Sequence, residues 1–303
     1  MLLKERTKSV THRLLESLNF RMNLPAEEKV NYENQVKGFA GEKQFDAYMN
    51  QSNQSGLVLN DLVLTYRNTV FQIDSLLITT DVVYLYEVKN YAGPYFYREE
   101  SFFTESGYKI LNPLRQIDRS ATFLHNVLLS LGYQLPIQPL IVFINPEFNL
   151  YSLLPNKLFL FSNQLPKYLH TLSNQNFSTT NKQLELGKKL SELHNETYRP
   201  DKLPNYDFDQ LKKGILCPVC FSASYRDTRQ TYFCAVCAHK ETITSAIERS
   251  ILEFRLLFPD SPITTNRIYQ WCGASYSKER IRLILKMTYR RHLSRQMTYY
   301  SEK

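Results

Sequence analysis

Two carboxylates and a lysine interrupt an otherwise apolar stretch at residues 70–90, VFQIDSLLITTDVVYLYEVKN. The β-rich runs on either side of Thr80 and Asp81 read as a hairpin, and folding them about that point sets Asp74 opposite Glu87. Directly opposed side chains in an antiparallel pair stand roughly 4.5–5.5 Å apart at Cβ, close enough for two carboxylates to share one divalent cation. Side chains alternate along a strand, so Lys89 shares the face of Glu87, while Phe71, Ile73, Tyr84, Tyr86 and Val88 are expected on the other. A hard cation such as Mg2+, or Mn2+ in its place, takes carboxylate and carbonyl oxygens and keeps several waters. Asp74, Glu87 and the main-chain carbonyl of Val88 supply three such oxygens. An ion held there activates water and binds a phosphate, and Lys89 is suited to the negative charge that builds on the phosphorus centre. The chemistry these residue types point to is metal-assisted phosphodiester hydrolysis.

The elements that must position this group follow from pattern. Residues 1–30 read as a helical lead-in ending near Pro25, and 32–49 carry an approximate helical stripe of Tyr32, Val36, Phe39, Ala40, Ala47 and Tyr48. Strands are expected at 56–66, 70–79 and 82–90, and a short hairpin within 95–111. Pro113 suits the first turn of a helix running to about residue 131. The apolar run 139–144 reads as a buried strand and 157–161 as an edge strand. A meander followed by a helical crossover to a buried strand is an α/β arrangement, a mixed sheet flanked by helices. Residues 171–183 read as a loop, 184–193 as a short helix, and 195–209, with Pro200 and Pro204, as a linker.

Two further polar residues flank the hairpin: Glu42 in GFAGEKQF on the first long helix, and Gln116 in NPLRQ at the start of the next. The ordered series G-x-x-G-E (38–42), Q-I-D (72–74), E-V-K-N-Y-x-G (87–93) and N-P-x-x-Q (112–116) resembles the nuclease-related domain (NERD) family, within the PD-(D/E)XK nuclease-like class. The resemblance covers roughly residues 30–145. It implies a restriction-endonuclease-like core, a divalent-metal-dependent nuclease activity, and a site made of Glu42, Asp74, Glu87, Lys89 and Gln116. After the E-x-K strand, where members of the family often carry a Trp, this chain has Tyr95, Phe96, Phe102 and Phe103.

Cys217, Cys220, Cys234 and Cys237 form two CxxC pairs separated by 13 residues. Four thiolates close a tetrahedral structural Zn2+ site with no open position, and the intervening FSASYRDTRQTYF reads as two short strands of a zinc ribbon. Beyond it, 245–258 reads as a helix. Thr264 or Thr265 and then Ser277 cap two more, separated by Gly273, and the second of these carries Arg280, Arg282, Lys286, Arg290 and Arg291. Ile281, Ile284, Leu285 and Thr288 make its inward stripe, in a layout that resembles a helix-turn-helix, with a plain helical hairpin as the alternative.

Charge points the same way. Residues 249–303 hold 11 basic and 4 acidic side chains, and the remainder of the 303-residue chain is close to balanced at 26 against 25. Attraction to a polyanion is therefore concentrated in the last fifth. The composition, 43% hydrophobic and 22% charged, suits a globular chain with a real core. Metal-type cysteine spacing and the lack of a signal-peptide or membrane-span pattern place the expectation in the cytoplasm. The expected division is a lead-in (1–30), a nuclease-like domain (31–170), a helix and linker (171–210), a zinc ribbon (211–244) and a basic helical domain (245–303). The expected partner is nucleic acid, foremost DNA, with a helicase or a repair or defence factor as a candidate protein partner. The competing class is a non-catalytic nucleic-acid-binding or protein-docking scaffold on the same fold.

Overall fold

Strands buried on both faces carry near-continuous apolar sequence, and LVLNDLVLTY, TVFQIDSLLI and VYLYEVK are of that kind. In the computed structural model they become the centre of a mixed sheet. The structure describes residues 1–52, 56–152, 156–175, 179–199, 203–294 and 297–303. Pro200, expected in a linker, lies outside the described residues.

In chain order the elements begin with β1 (Leu2–Lys4), α1 (Val10–Arg21), α2 (Ala26–Gln51), β2 (Leu57–Tyr66), β3 (Thr69–Ile78) and β4 (Val83–Lys89). Next come β5 (Gly93–Arg98), β6 (Ser101–Thr104), β7 (Lys109–Ile110), α3 (Pro113–Ser130), β8 (Ile137–Phe143), β9 (Phe148–Tyr151), β10 (Phe159–Phe161), α4 (Leu165–Ser173) and α5 (Asn181–Glu192). The remainder is β11 (Tyr225–Asp227), β12 (Thr231–Cys234), β13 (Lys240–Thr242), α6 (Ile243–Leu257), α7 (Thr265–Trp271), α8 (Lys278–Thr288), β14 (Arg290–Leu293) and β15 (Thr298–Ser301). The packing separates two units, Met1–Ser9 with Glu33–Arg199, and Val10–Tyr32 with Pro200–Lys303. The lead-in is therefore not one helical piece. Its first residues pair as a strand with β2, because alternate backbone groups of that edge are open to them.

In the first unit a six-stranded sheet runs β1-β2-β3-β4-β8-β10. The meander β2–β3–β4 is antiparallel, and β1, β8 and β10 join in parallel. Helix α3 makes the crossover from β4 to β8. Asn112 caps it by accepting the Leu114 N–H, with Pro113 in the first turn. A four-stranded sheet, β7-β6-β5-β9, completes this unit. On one face of the six-stranded sheet, Leu59, Leu76, Leu85 and Ile141 pack with Ile117 and Leu124 of α3 and Leu186 of α5. On the other, Leu77, Tyr84, Tyr86 and Val88 pack with Phe45 and Met49 of α2 and Leu169 of α4.

The β3–β4 register is the expected one, with Ser75 opposite Tyr86 and Leu77 opposite Tyr84. The ladder stops there, one pair short of Asp74 and Glu87. The Val88 N–H donates to Asp74 Oδ2 at 2.8 Å, so a side chain takes over where main-chain pairing ends. The expected face of Phe71 and Ile73 is also corrected: both sit in the α3-side core with Leu76 and Leu85. The cause is a pleat reversal. Leu57 and Leu59 face the same core as Leu62 and Leu64, which requires the chain to switch sides between them. Asp61 does so with φ 53°, and β3 reverses at the same level, around Asp74.

In the second unit, β11, β12 and β13 form a three-stranded antiparallel ribbon. Its buried Cys217, Tyr232 and Cys234 share one core with Ile247 and Phe254 of α6, Trp271 of α7, and Ile281 and Leu285 of α8. Ribbon and helices are thus one packed body. Arg21 of α1 is fully buried there, with Nε 2.8 Å from Glu253 Oε1 and its guanidinium 3.9 Å from the Trp271 ring centroid.

Within the G-x-x-G-E series, Gly41 is the glycine that packing demands. A Cβ there would lie 2.5 Å from Cβ of Asn90, whereas one on Gly38 meets nothing within 4 Å. Gly41→Ala is therefore expected to destabilise the first unit by about 1–3 kcal/mol through overpacking. Gly38→Ala is expected to be neutral or stabilising by up to about 1 kcal/mol, from helix propensity. Urea midpoints of the two variants against wild type check both.

Candidate functional site

Four elements deliver the first group of side chains. Glu42 comes from α2, Asp74 from β3, Glu87 and Lys89 from β4, and Gln116 from the first turn of α3. Asp74 and Glu87 are buried, at 8% and 3% exposure, although each is a carboxylate in an apolar sheet. Lys89 Nζ lies 2.7 Å from Glu87 Oε1 and donates to Gln116 Oε1 at 3.0 Å. The Gln116 amide donates back to Glu87 Oε1, closing a three-residue ring. Val88 sits between them with its side chain in the opposite core and its N–H committed to Asp74.

Arg6, which no motif marked, supplies the other cation. Its side chain is 3% exposed and forms a two-point pair with Asp46, at 2.8 and 2.9 Å. It also donates to Glu42 Oε2 at 2.7 Å and to the Asp74 carbonyl at 2.9 Å. Glu42 and Asp46 are one helical turn apart on α2, so a single planar guanidinium can hold both. Lys4 donates to the carbonyls of Asn60 and Asp61, holding the point where β2 reverses. An open groove of about 390 Å3 lies beside Gln116, lined by Arg115 and Arg119 of α3 among others. Their i, i+4 spacing was visible in the sequence, but only the groove gives it meaning.

Burial and the Asp74 charge push Glu42 up to about 8, against the pull of Arg6. Burial and Asp74 likewise push Glu87 up to about 7, opposed by Lys89 and the Gln116 hydrogen bond. Asp74 is raised by burial in spite of Lys89 and the Val88 N–H. Burial works against the charge on Lys89, but Glu87, Tyr91 and Asp74 outweigh it and raise its pKa. Among the described residues, four carboxyl groups, Glu42, Asp46, Asp74 and Glu87, have Arg6 and Lys89 as their close cations, an excess of acid over base.

That excess is the test of whether a divalent ion fits. Glu42 Oε1, Asp74 Oδ1 and Glu87 Oε2 accept no hydrogen bond among the described residues, leaving lone pairs for a cation. The three carboxylates are not drawn into one tight cluster: among the described residues the four cysteines alone gather within 4.8 Å of one another. Mg2+ needs no such cage, since it is bound by one or two carboxylates plus waters and substrate phosphates. The donor chemistry fits.

The cysteines meet a stricter test. Cys217 and Cys237 Sγ are 3.5 Å apart, and Cys220 and Cys234 Sγ 3.4 Å. A Zn–S bond of about 2.3 Å in a tetrahedron implies sulfurs about 3.8 Å apart. Two matching turns bring the cysteines there. Phe221 and Ala238, each following a second cysteine, have φ 57° and 60° and donate to the carbonyls of Cys217 and Cys234. The N–H of Cys237, and less strongly that of Val236, draws the Cys234 thiol down to about 6 despite desolvation. Cys272 is buried in the same core and is not one of the four gathered cysteines.

The basic residues divide differently from expectation. Arg282 and Lys286 are exposed on α8, but Arg280 is half-buried and donates to the Arg229 carbonyl at 3.0 Å. Arg290 and Arg291 are not on the helix. The helix ends at Thr288 because buried Tyr289 turns to extended backbone, φ −119° and ψ 156°, and they fall on β14 of a hairpin.

Residues 37–144 match the nuclease-related domain family (NERD), a span that contains Glu42, Asp74, Glu87, Lys89 and Gln116. No curated protein and no solved structure matches the chain. Among the described residues, no helix is long and apolar enough to cross a membrane.

The raised carboxyl groups give the metal-free protein a defined pH response. The native state holds protons on Glu42 and Glu87 that the unfolded chain, near 4.5, has released. Their contribution to stability is full below about pH 4.5 and is lost as pH rises through about 7 and 8. Without divalent metal, the melting temperature of the first unit is expected to fall between pH 6 and pH 9, and Glu42→Gln to flatten that fall. Thermal melts across this range measure it.

Proposed function

We propose that this chain is a divalent-metal-dependent nuclease that hydrolyses phosphodiester bonds of DNA, with a zinc ribbon and a basic tail engaging the substrate. The observation that carries the proposal is the placing of two buried carboxylates, Asp74 and Glu87, and a half-buried one, Glu42, beside a protonated lysine, inside the span that matches the nuclease-related family. Asp74 and Glu87, with Glu42 from the helix side, are the residues to hold Mg2+ or Mn2+. When bound, such an ion supplies Lewis-acid charge against the phosphate and a more acidic water.

The chain's own residues have separable tasks. Lys89, kept protonated by Glu87, offers positive charge to a phosphate gathering negative charge. Gln116 bridges Glu87 and Lys89 and so fixes the direction in which the ammonium points. Arg6 holds Glu42 in place while leaving one carboxylate oxygen open. Arg115 and Arg119, in the groove beside Gln116, suit the sugar-phosphate chain leading to the scissile bond. The four cysteines hold a structural Zn2+, and the chemistry of the ribbon is that of a scaffold.

One observation favours a non-catalytic scaffold instead. Arg6 and Lys89 already form direct ion pairs with Glu42 and Glu87. The two readings separate experimentally. Full-length protein with Mg2+ or Mn2+ is expected to cut DNA. Lys89→Ala is expected to lower cleavage by about a hundredfold or more, and Asp74→Asn to abolish it, with melting curves intact. Equal cleavage by wild type and both variants overturns the assignment, while metal-independent binding without cleavage supports the scaffold. Metal at about 100 times its Kd should also stabilise wild type by about 2.7 kcal/mol, and Asp74→Asn much less.

Zinc makes a separate prediction. One equivalent per chain is expected by elemental analysis, and Cys220→Ser should lose it. Because Cys217 and Cys234 belong to the core of the second unit, removal by a strong chelator should unfold that unit rather than the ribbon alone.

A further inference from the structure

The segment after the ribbon has a topology that motif spacing did not disclose. It runs α6, an extended residue at Ile263, α7, α8, and the antiparallel hairpin β14–β15. Ile263 bridges Tyr300, whose N–H donates to the Ile263 carbonyl at 2.9 Å, so the hairpin gains a third extended partner beside α7. Phe254, Ile268, Trp271, Ile281, Leu285, Tyr289 and Tyr300 close one core under all these pieces. Three helices followed by a hairpin stitched back to the first inter-helix connection form a helix-turn-helix with a wing.

Helix α8 turns Ile281, Ile284 and Leu285 inward. Its outward side carries Arg282 and Lys286, i and i+4, alongside Leu283 and Met287. Leu283 and Met287 are 59% and 64% exposed, so core packing does not account for them. The helix is 11 residues long, about 16 Å at 1.5 Å per residue, and a major groove about 12 Å wide admits an α-helix side-on. Arg282 and Lys286 run along one side of that face and reach phosphates, and Leu283 and Met287 beside them meet thymine methyl groups. Immediately beyond, Arg290 and Arg291 are both exposed on β14, where a wing meets the neighbouring backbone.

Arg280 has a different task. Its guanidinium donates to the Arg229 carbonyl in the turn between β11 and β12, and lies over the Tyr276 ring. It ties the tip of the ribbon to the start of α8 and brings exposed Arg226 and Arg229 to the same region. Single-strand binders present rows of aromatic platforms. The outward side of α8 has none, and its charge and shape suit a duplex.

We propose that the second unit docks on double-stranded DNA, with α8 in the major groove, the β14–β15 hairpin on the flanking backbone, and Arg280 positioning the ribbon tip beside them. This rests on the reading that the chain works on nucleic acid, and it names the duplex as the form and α8 as the reader.

Binding of the full-length, zinc-loaded chain to labelled DNA, followed by fluorescence anisotropy without Mg2+ or Mn2+, tests it. A duplex is expected to bind at least about tenfold tighter than either of its strands. Arg282→Ala with Lys286→Ala should weaken duplex binding about tenfold or more and reduce the salt slope by about two. Arg290→Ala with Arg291→Ala should act in the same sense. Leu283→Ser with Met287→Ser should leave the salt slope and narrow the spread of affinities among duplex sequences. Arg280→Ala should weaken duplex binding, and Arg280→Lys should fail to restore it, because a single ammonium does not reproduce the guanidinium's simultaneous hold on carbonyl and ring. Unchanged duplex affinity in both paired arginine and lysine variants overturns the proposal, as does equal or tighter binding to single strands or to duplex RNA. Zinc content and circular dichroism confirm that each variant is folded. Cleavage of the same duplex with Mg2+ or Mn2+ is scored separately. Binding without metal-dependent cleavage therefore removes only the nuclease reading, and cleavage without duplex preference removes only this one.

Discussion

The first unit is organised by one constraint: carboxylates must enter the interior of an apolar sheet and stay within reach of countercharge. An isolated buried carboxylate is costly enough that it takes up a proton or finds a partner. The sheet meets this by ceasing to be a regular sheet at one level. Strand β2 reverses its pleat at Asp61, β3 does so beside it, and β4 stops pairing with β3 above Ser75. Asp74 lies at that break and accepts the Val88 N–H that the ladder has released. Lys4 holds the carbonyls at the β2 reversal, Arg6 spans Glu42, Asp46 and the Asp74 carbonyl, and Gly41 lets α2 approach Asn90 at the end of β4. None of these placements makes sense for an apolar sheet alone.

The second unit solves a related problem with different groups. Arg21 is fully buried, but its donors reach Glu253 and the carbonyls of Lys212 and Gly214, and its plane covers Trp271. Removing one partner of such a pair leaves a charge uncompensated, at about 3–5 kcal/mol. Cys217 and Cys234 are core residues as well as metal-ligand candidates, so the ribbon is fastened by the same packing that holds α6, α7 and α8. Non-glycine residues sit at positive φ after both CxxC pairs. That left-handed geometry costs a non-glycine residue about 1–2 kcal/mol, and a bound tetrahedral ion would offset it.

Much of the scaffold was legible because it depends on local pattern. The three central strands, the Asn112–Pro113 helix start, the Thr264 and Ser277 caps and the two CxxC turns all follow from residues within a few positions of one another. The acid–lysine pair on β4 and its register with β3 were readable for the same reason. Illegible were features that join distant parts of the chain. Arg6 meets Asp74 across 68 residues, and no periodicity marks it. Alternation placed Phe71 and Ile73 on the wrong face because it cannot register a reversal at Asp61, whose positive φ is a property of the folded sheet. Helix α4 lies between an edge strand and a polar segment and has no side-chain cap to mark its start. Pattern alone continues the helix through Arg290 and Arg291 because a run of basic residues has no period of its own, whereas buried Tyr289 decides where the helix ends.

The charge distribution then explains why cutting and holding would be assigned to different residues. Among the described residues, Glu42, Asp46, Asp74 and Glu87 have Arg6 and Lys89 as close countercharges, so the proposed catalytic site would repel phosphate until a cation enters. A site of that kind cannot also gather a polyanion from solution. Attraction has to come from surfaces where the balance is reversed: Arg115 and Arg119 at the groove near Gln116, and the last fifth of the chain, with 11 basic against 4 acidic side chains. Long-range attraction by exposed basic residues raises encounter rates without any demand on geometry. A close ring of acids, lysine and amide does the reverse, contributing little to encounter and much to the orientation of charge around one phosphate. Under the proposed function, separating the two would let the acidic site be selective for a metal-bound phosphate, because nothing in it would have to provide the affinity.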